Sequence, residues 1–126
     1  MGKVLNQLIQ LEKQAIDSGF GWPTVDMALD QLLSEAQEVQ QAIADNEPLA
    51  RVQEEIGDLF HACIGLCLFM KFDVAETLAN ATHKFEKRFL ATQEIAKQKG
   101  YPSLKGQPME ILLQWWELAK QQTDKA

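Results

Sequence analysis

The sequence predicts an all-α protein, a helical bundle of four to five helices that contains an antiparallel helix hairpin. Apolar residues recur at three- and four-residue steps almost throughout, and no segment shows the alternation expected of a strand. The breaks between these periodic segments are short and rich in Gly, Pro, Asn and Asp, as in helix-to-helix loops. With 126 residues, 46% of them hydrophobic, the chain can bury one core. We therefore expect a single domain over residues 1–126.

The first two predicted helices are separated by the loop segment GFGWPT (19–24). The apolar stripe of the first helix starts at Val4 and stops near Gly19, a residue that favours helix ends. The second helix follows Thr24, which fits an N-cap, and runs to about Asp45. The sequence DNEP (45–48) then breaks the pattern, and Pro48 fits the first turn of a third helix.

The third predicted helix becomes apolar on nearly all sides between Phe60 and Met70. Such a stretch is expected in the centre of a bundle or at a subunit interface. Cys63 and Cys67 lie within it, and two cysteines in an apolar segment are best explained as reduced, buried thiols of a cytosolic protein. The role of His61 stays open.

Two further helices complete the predicted bundle. Asp73 fits the cap of a fourth helix, from Val74 to about Lys99, and a fifth helix runs from Met109 to about Gln121. In the fifth helix the adjacent residues at 115 and 116 are both Trp. Because neighbours on a helix point in different directions, we expect only one of them in the core.

Charge and hydropathy exclude several classes of protein. The net charge is −6, and residues 25–58 hold nine acidic residues against one basic residue. An acidic surface of this kind argues against a nucleic-acid partner, which needs basic contacts to phosphates. The longest apolar run, 59–70, contains a histidine and is too short to cross a bilayer. Since the N-terminal residues do not resemble a secretory signal either, we expect a cytoplasmic protein without membrane contact.

Four carboxylates of the acidic segment are placed to meet in one groove if the second and third helices form an antiparallel hairpin of the right hand. On each helix the pair, Glu35 with Glu38 and Glu55 with Asp58, lies about 100° and 160° from the apolar stripe. Glu35 and Asp58 are equally far along the chain from the turn between Asn46 and Glu47, as are Glu38 and Glu55. In an antiparallel hairpin, Glu35 therefore lies level with Asp58, and Glu38 lies level with Glu55.

Like charges gathered at one level repel each other, and a divalent cation removes the conflict. Carboxylate oxygens suit a hard ion such as Mg²⁺, with Mn²⁺ as a possible substitute. The pattern thus predicts a metal-binding hairpin. The alternative is that these acids form an ordinary solvated helix face.

Three other residues have the chemistry to contact a phosphorylated ligand. Lys84 and Arg88 are four residues apart on one face of the fourth helix, and Arg recognises phosphate oxygens through paired donors. Trp22, in the loop before the acidic helix, can stack on a base. The alternatives are a basic surface patch with local salt bridges, and a loop anchor in which Trp22 packs beside Pro23.

Taken together, these segments resemble the MazG-type all-α nucleoside triphosphate pyrophosphohydrolases. The resemblance lies in the carboxylate spacing of LLSEAQEVQQAI and QEEIGDLFHACI, and in the flanking segments GFGWPT and HKFEKRF. It implies Mg²⁺-dependent hydrolysis of a nucleoside triphosphate to monophosphate and pyrophosphate. It also implies that Glu35, Glu38, Glu55 and Asp58 are catalytic metal ligands. By the same resemblance Lys84 and Arg88 would hold the phosphates, Trp22 would touch the base, and the protein would form a homodimer or homotetramer.

Two positions depart from the family pattern and keep other functions open. Ser34 replaces the first Glu of the family signature, and Thr82 stands where the family usually has Asn. If these changes mark lost activity, the chain is a non-catalytic helical module that binds nucleotide or metal. A third alternative is a structural, oligomerising bundle whose acids bind no ligand.

Overall fold

The computed structural model describes residues 2–124, and this part of the chain contains five α-helices and no β-strand. The predicted all-α fold is therefore confirmed. The helices begin and end within a few residues of the positions predicted from periodicity. Their bounds are α1 Gly2–Asp17, α2 Val25–Ala44, α3 Leu49–Phe69, α4 Val74–Gln98 and α5 Met109–Thr123.

The helix starts have the caps that the sequence indicates. The Thr24 hydroxyl accepts a hydrogen bond from the Met27 N–H at 3.2 Å. Asp73 Oδ2 accepts one from the Glu76 N–H at 2.9 Å. Each bond satisfies a backbone donor that the first turn of a helix leaves free. Pro48 stands immediately before α3, where its missing N–H costs nothing.

Helices α1 to α4 all end in the same left-handed C-terminal turn. At the end of α2, the Asn46 N–H donates to the Ile43 carbonyl and the Glu47 N–H to the Ala42 carbonyl, both at 3.1 Å. This pair of bonds satisfies carbonyls at the helix end and requires a positive φ. The residues with positive φ in the four turns are Gly19 (92°), Asn46 (53°), Lys71 (62°) and Gly100 (90°).

Lys71→Gly is expected to stabilise the protein by about 0.5–1 kcal/mol, because a residue with a Cβ is strained at positive φ. Lys71→Ala is the matched control, since it removes the same side chain but keeps the Cβ. Thermal denaturation of both variants measures the difference. Equal melting temperatures for the Gly and Ala variants would contradict the strain argument.

Contacts divide the chain into two compact units, the first ending at Thr77 and the second beginning at Leu78. The expected single domain stays a prediction. In the first unit α2 packs along α3 as the predicted hairpin, and α1 contacts α3. Small side chains are buried on α2, Ala28 and Ala42. His61 of α3 pairs with Glu12 of α1, which answers the question that the sequence left open for His61.

The surroundings of α3 correct two expectations. Cys63 is exposed and Cys67 is only partly buried, so the prediction of two buried thiols was wrong. Phe60 is 69% exposed, and no residue from 60 to 70 is fully buried. The reason is that α1 and α2 cover only part of the circumference of a helix that is apolar on nearly all sides. The prediction that residues 60–70 lie in the centre of a bundle was therefore wrong. Their position at a subunit interface stays a prediction.

The second unit has its own small core between α4 and α5. Its buried members are Ile95, Ala96, Trp115 and Ala119. The Trp115 ring also packs against Tyr101, with ring centroids 5.6 Å apart. Trp116 is only partly buried, which confirms that one Trp of the adjacent pair is in the core. Among the described helices of both units, none combines the length and apolarity of a membrane span.

Candidate metal centre

The hairpin brings three carboxylates together. One carboxylate oxygen each from Glu35 of α2 and from Glu55 and Asp58 of α3 lie within 4.8 Å of one another. Glu35 and Asp58 are one of the two pairs predicted to lie level across the hairpin. The turn at 45–48 determines which residues of α2 and α3 lie level with each other, because it is too short for one helix to shift along the other.

Glu38, the fourth predicted carboxylate, lies beside Glu35 but outside this group of three. The pKa of Glu35 is raised, first by burial and then by Glu38, which can hydrogen bond to Glu35 when one of the two is protonated. Repulsion from the charges of Glu38, Asp58 and Glu55 raises this pKa further. All four carboxylates therefore interact, and the full set of negative charges is unfavourable without a cation.

Two of the carboxylates are held by donors on their own helices. Gln31 Nε2 donates to Glu35 Oε1 at 2.5 Å, and Arg51 Nη2 pairs with Glu55 Oε1 at 2.7 Å. The Glu55 side chain is only 6% exposed. The other oxygen of each acid, Oε2 of Glu35 and Oε2 of Glu55, is buried and has no hydrogen-bond partner. Two buried, unpartnered carboxylate oxygens are costly unless something else binds them.

Sequence reasoning missed Gln31 and Arg51. The signal for them was present, since each lies four residues before an acid of the cluster, where side chains on a helix are neighbours. Arg51 is also the single basic residue of the acidic segment 25–58.

The donor atoms of this cluster fit a hard divalent cation. The group offers carboxylate oxygens alone, which are the preferred ligands of Mg²⁺ and related ions, and includes no thiol or imidazole. A cation at this place would bind the two buried oxygens that lack partners and would offset the repulsion among the acids. The residues present therefore fit a metal centre.

The predicted phosphate-binding residues lie in the second unit. Lys84 lines a cavity of about 110 Å³ together with Asn80, His83, Lys87, Thr123 and Asp124. Arg88 is 17% exposed and is engaged by Asp124: its Nη2 donates to Oδ2 at 2.7 Å and its Nε to Oδ1 at 3.4 Å. Hydrogen bonding to Arg88 lowers the pKa of Asp124. The guanidinium also lies 5.9 Å from the centre of the Trp116 ring.

The predicted base-stacking residue, Trp22, belongs to the first unit. It lies in the loop between α1 and α2, and 44% of its surface is exposed. An indole that is half open to solvent still offers a face to a planar ligand.

Comparison with known proteins reveals clear relatives. The chain is 29% identical over 117 residues to the nucleoside triphosphate pyrophosphohydrolase of Escherichia coli (strain K12), covering 90% of this chain and 43% of that protein. It is 29% identical over 116 residues to the nucleoside triphosphate pyrophosphohydrolase/pyrophosphatase MazG of Thermotoga maritima, covering 92% of this chain and 44% of that protein. The chain thus spans less than half the length of these curated relatives.

The region of the hairpin also matches a family model. Residues 24–89 match the model of the MazG nucleotide pyrophosphohydrolase domain. The matched region is slightly more than half of the chain and contains all four carboxylates together with Lys84 and Arg88. The chain therefore belongs to the MazG nucleotide pyrophosphohydrolase domain family.

Proposed function

We propose that this protein hydrolyses a nucleoside triphosphate to the monophosphate and pyrophosphate in a reaction that depends on Mg²⁺, with Mn²⁺ as a substitute. Glu35, Glu38, Glu55 and Asp58 would hold the metal. The observation that carries the proposal is the pair of buried, unpartnered oxygens on Glu35 and Glu55, within a group of converging carboxylates. Family membership supports the reaction class.

The chemistry follows from the charges on the reactants. A bound divalent cation neutralises charge on the phosphate oxygens and makes a bound water more acidic. One site carboxylate accepts the proton of the attacking water, whose oxygen forms a bond to the α-phosphorus. The bond from the α-phosphorus to the oxygen that bridges to the β-phosphorus breaks, and pyrophosphate leaves with the bond electrons.

Lys84 and Arg88 are the proposed ligands of the phosphates, and Trp22 is the proposed contact to the base. The paired donors of Arg88 suit phosphate oxygens, but in this structure they are used by Asp124. A bound phosphate would therefore replace the Asp124 carboxylate at Arg88.

Asp124→Asn is expected to lower KM by about three-fold and leave kcat unchanged, because a partly exposed ion pair competes only weakly with the substrate. Steady-state kinetics with the preferred nucleotide measures both constants. Glu117→Gln is the matched control, since it breaks an exposed pair with Lys120 on α5, the helix that Asp124 follows. An unchanged KM for Asp124→Asn would show that Arg88 does not bind the phosphates.

A homodimer or homotetramer is also proposed, in agreement with the apolar surface of the hairpin. Large apolar side chains remain exposed on α2 and α3, among them Leu33 (57%), Leu49 (86%) and Phe60 (69%). Surfaces of this kind are typical of protein interfaces. Sedimentation equilibrium tests the proposal, and a monomer at all concentrations would contradict it.

The reaction is tested with the purified protein and each common NTP and dNTP, with Mg²⁺ or with chelator, followed by separation of the products. We expect monophosphate and pyrophosphate with metal only. Diphosphate and orthophosphate would show cleavage at a different bond. Tight nucleotide binding without any product would support the non-catalytic module in place of the enzyme.

A further inference from the structure

Two glutamates of the cluster, the partly buried Glu35 and the buried Glu55, share one local arrangement. Each has a donor four residues earlier on its own helix, Gln31 for Glu35 on α2 and Arg51 for Glu55 on α3. In both cases the donor holds Oε1, and Oε2 is left buried without a partner. The same arrangement therefore occurs on both sides of the hairpin, with two chemically different donors.

A donor is needed because a glutamate has several rotatable bonds and the cluster repels it. Without a hydrogen bond, the carboxylate lowers its energy by turning away from the neighbouring negative charges. A bond to one oxygen holds the side chain in place and leaves the other oxygen free for a ligand. In metal sites, partners of this kind orient the ligating groups and strengthen binding.

We propose that Gln31 and Arg51 are positioning residues, which hold Glu35 and Glu55 so that their Oε2 atoms are ready to bind a divalent cation. This inference rests on the metal site of the proposed function. Gln31 and Arg51 act only through the glutamates and do not themselves bind the cation.

Because Gln31 is neutral and Arg51 is charged, substitutions at the two positions can distinguish the effect of hydrogen bonding on metal binding from the effect of charge. The positive charge of Arg51 opposes a cation, and Arg51 also pairs with Glu54 through Nη1 at 3.0 Å. Gln31 is neutral and still holds its glutamate. Arg51→Gln rebuilds on α3 the Gln–Glu pair that exists on α2, so it should preserve metal binding if hydrogen bonding to Glu55 is what the site requires. Arg51→Met gives a side chain of similar length to Gln but without a donor.

The test is a titration of the full chain with Mn²⁺, in which electron paramagnetic resonance measures the concentration of the free ion at each step. We expect Gln31→Met and Arg51→Met each to weaken Mn²⁺ binding about 10-fold, and Arg51→Gln to stay within about three-fold of the parent. Gln41→Met is the matched control and should leave the affinity unchanged. Gln41 Nε2 donates to Asp45 Oδ1 at 2.8 Å, which is the same type of bond at the same spacing, at the end of α2 and to an acid outside the group of three.

Each alternative result has a distinct meaning. A parent protein that binds no Mn²⁺ overturns the metal site, and with it the proposed function. A parent that binds Mn²⁺ with both Met variants equal to it overturns the positioning role alone. If Arg51→Gln binds as weakly as Arg51→Met, a neutral donor at position 51 does not restore the binding of Mn²⁺, and the inference fails there. Circular dichroism in chelator checks folding, and Leu replaces Met at any position where the Met variant is unfolded at the titration temperature.

Discussion

Asp58→Asn is expected to lower the rate of nucleotide hydrolysis by at least about 100-fold and to raise the melting temperature of the metal-free protein. The rate is expected to fall because the proposed metal centre would lose a charged ligand, whose effect on the transition state is worth several kcal/mol. The melting temperature rises because one charge is removed from a group of acids that lie within 4.8 Å of each other. Lower activity together with higher stability is the result expected where a functional site holds mutually repelling charges.

A third measurement completes this prediction. Mg²⁺ should raise the melting temperature of the parent protein, because a ligand that binds only the native state stabilises it. We expect this rise to be lost in Asp58→Asn and in Glu35→Gln. A rise of the same size in these variants would contradict the assignment of the site.

Asp30→Asn is the matched control for these variants. It removes the same type of charge from α2, at an exposed position about 140° around the helix from Glu35. Activity within about two-fold of the parent and a normal response to Mg²⁺ are expected, since surface substitutions away from a site have small effects. A loss of activity as large as that of Asp58→Asn would show that net charge, and not the cluster, controls the reaction.

Trp115→Ala is expected to destabilise the second unit by about 3–5 kcal/mol, the usual cost of deleting a buried aromatic side chain. Trp115 is 4% exposed and has the largest side chain among the buried members of this core, so its truncation leaves a large cavity. Urea denaturation followed by circular dichroism at 222 nm measures the loss without relying on the deleted fluorophore.

Leu113→Ala on the same helix is the comparison for this variant. Its side chain is 58% exposed, so we expect a loss below about 0.5 kcal/mol. If the two variants were equally stable, the core of the second unit would not depend on Trp115.

The helices were predictable from sequence because each signal is local. Apolar periodicity, the caps at Thr24 and Asp73, and the breaks at Gly19 and Gly100 all act within a few residues. The exposure of Cys63 was not predictable in the same way. It depends on how many neighbours cover α3, and this is a property of the tertiary structure that an apolar helix sequence does not contain.

In the candidate site too, the features that depend on local spacing were predictable from sequence, and those that depend on tertiary structure were not. Equal distances from the turn at 45–48 placed Glu35 level with Asp58, because an antiparallel hairpin converts sequence separation into height. The pairing of Arg88 with Asp124 was not predictable, since 36 residues separate the two and no local spacing connects them. Which oxygen of Glu55 stays unpartnered depends on a side-chain rotamer, and residue pattern does not determine that.

The concentration of negative charge on the hairpin would also affect how fast the proposed nucleotide substrate arrives. Residues 25–58 carry nine acids and one base, and a free nucleoside triphosphate is itself strongly anionic. The two repel each other over a distance of about 8 Å at physiological ionic strength. Added salt should therefore speed the encounter of free nucleotide with this surface, whereas oppositely charged partners meet more slowly as salt is added. A nucleotide that arrives with its cation already bound meets less of this repulsion, so the order in which metal and nucleotide associate becomes a kinetic property of the hairpin.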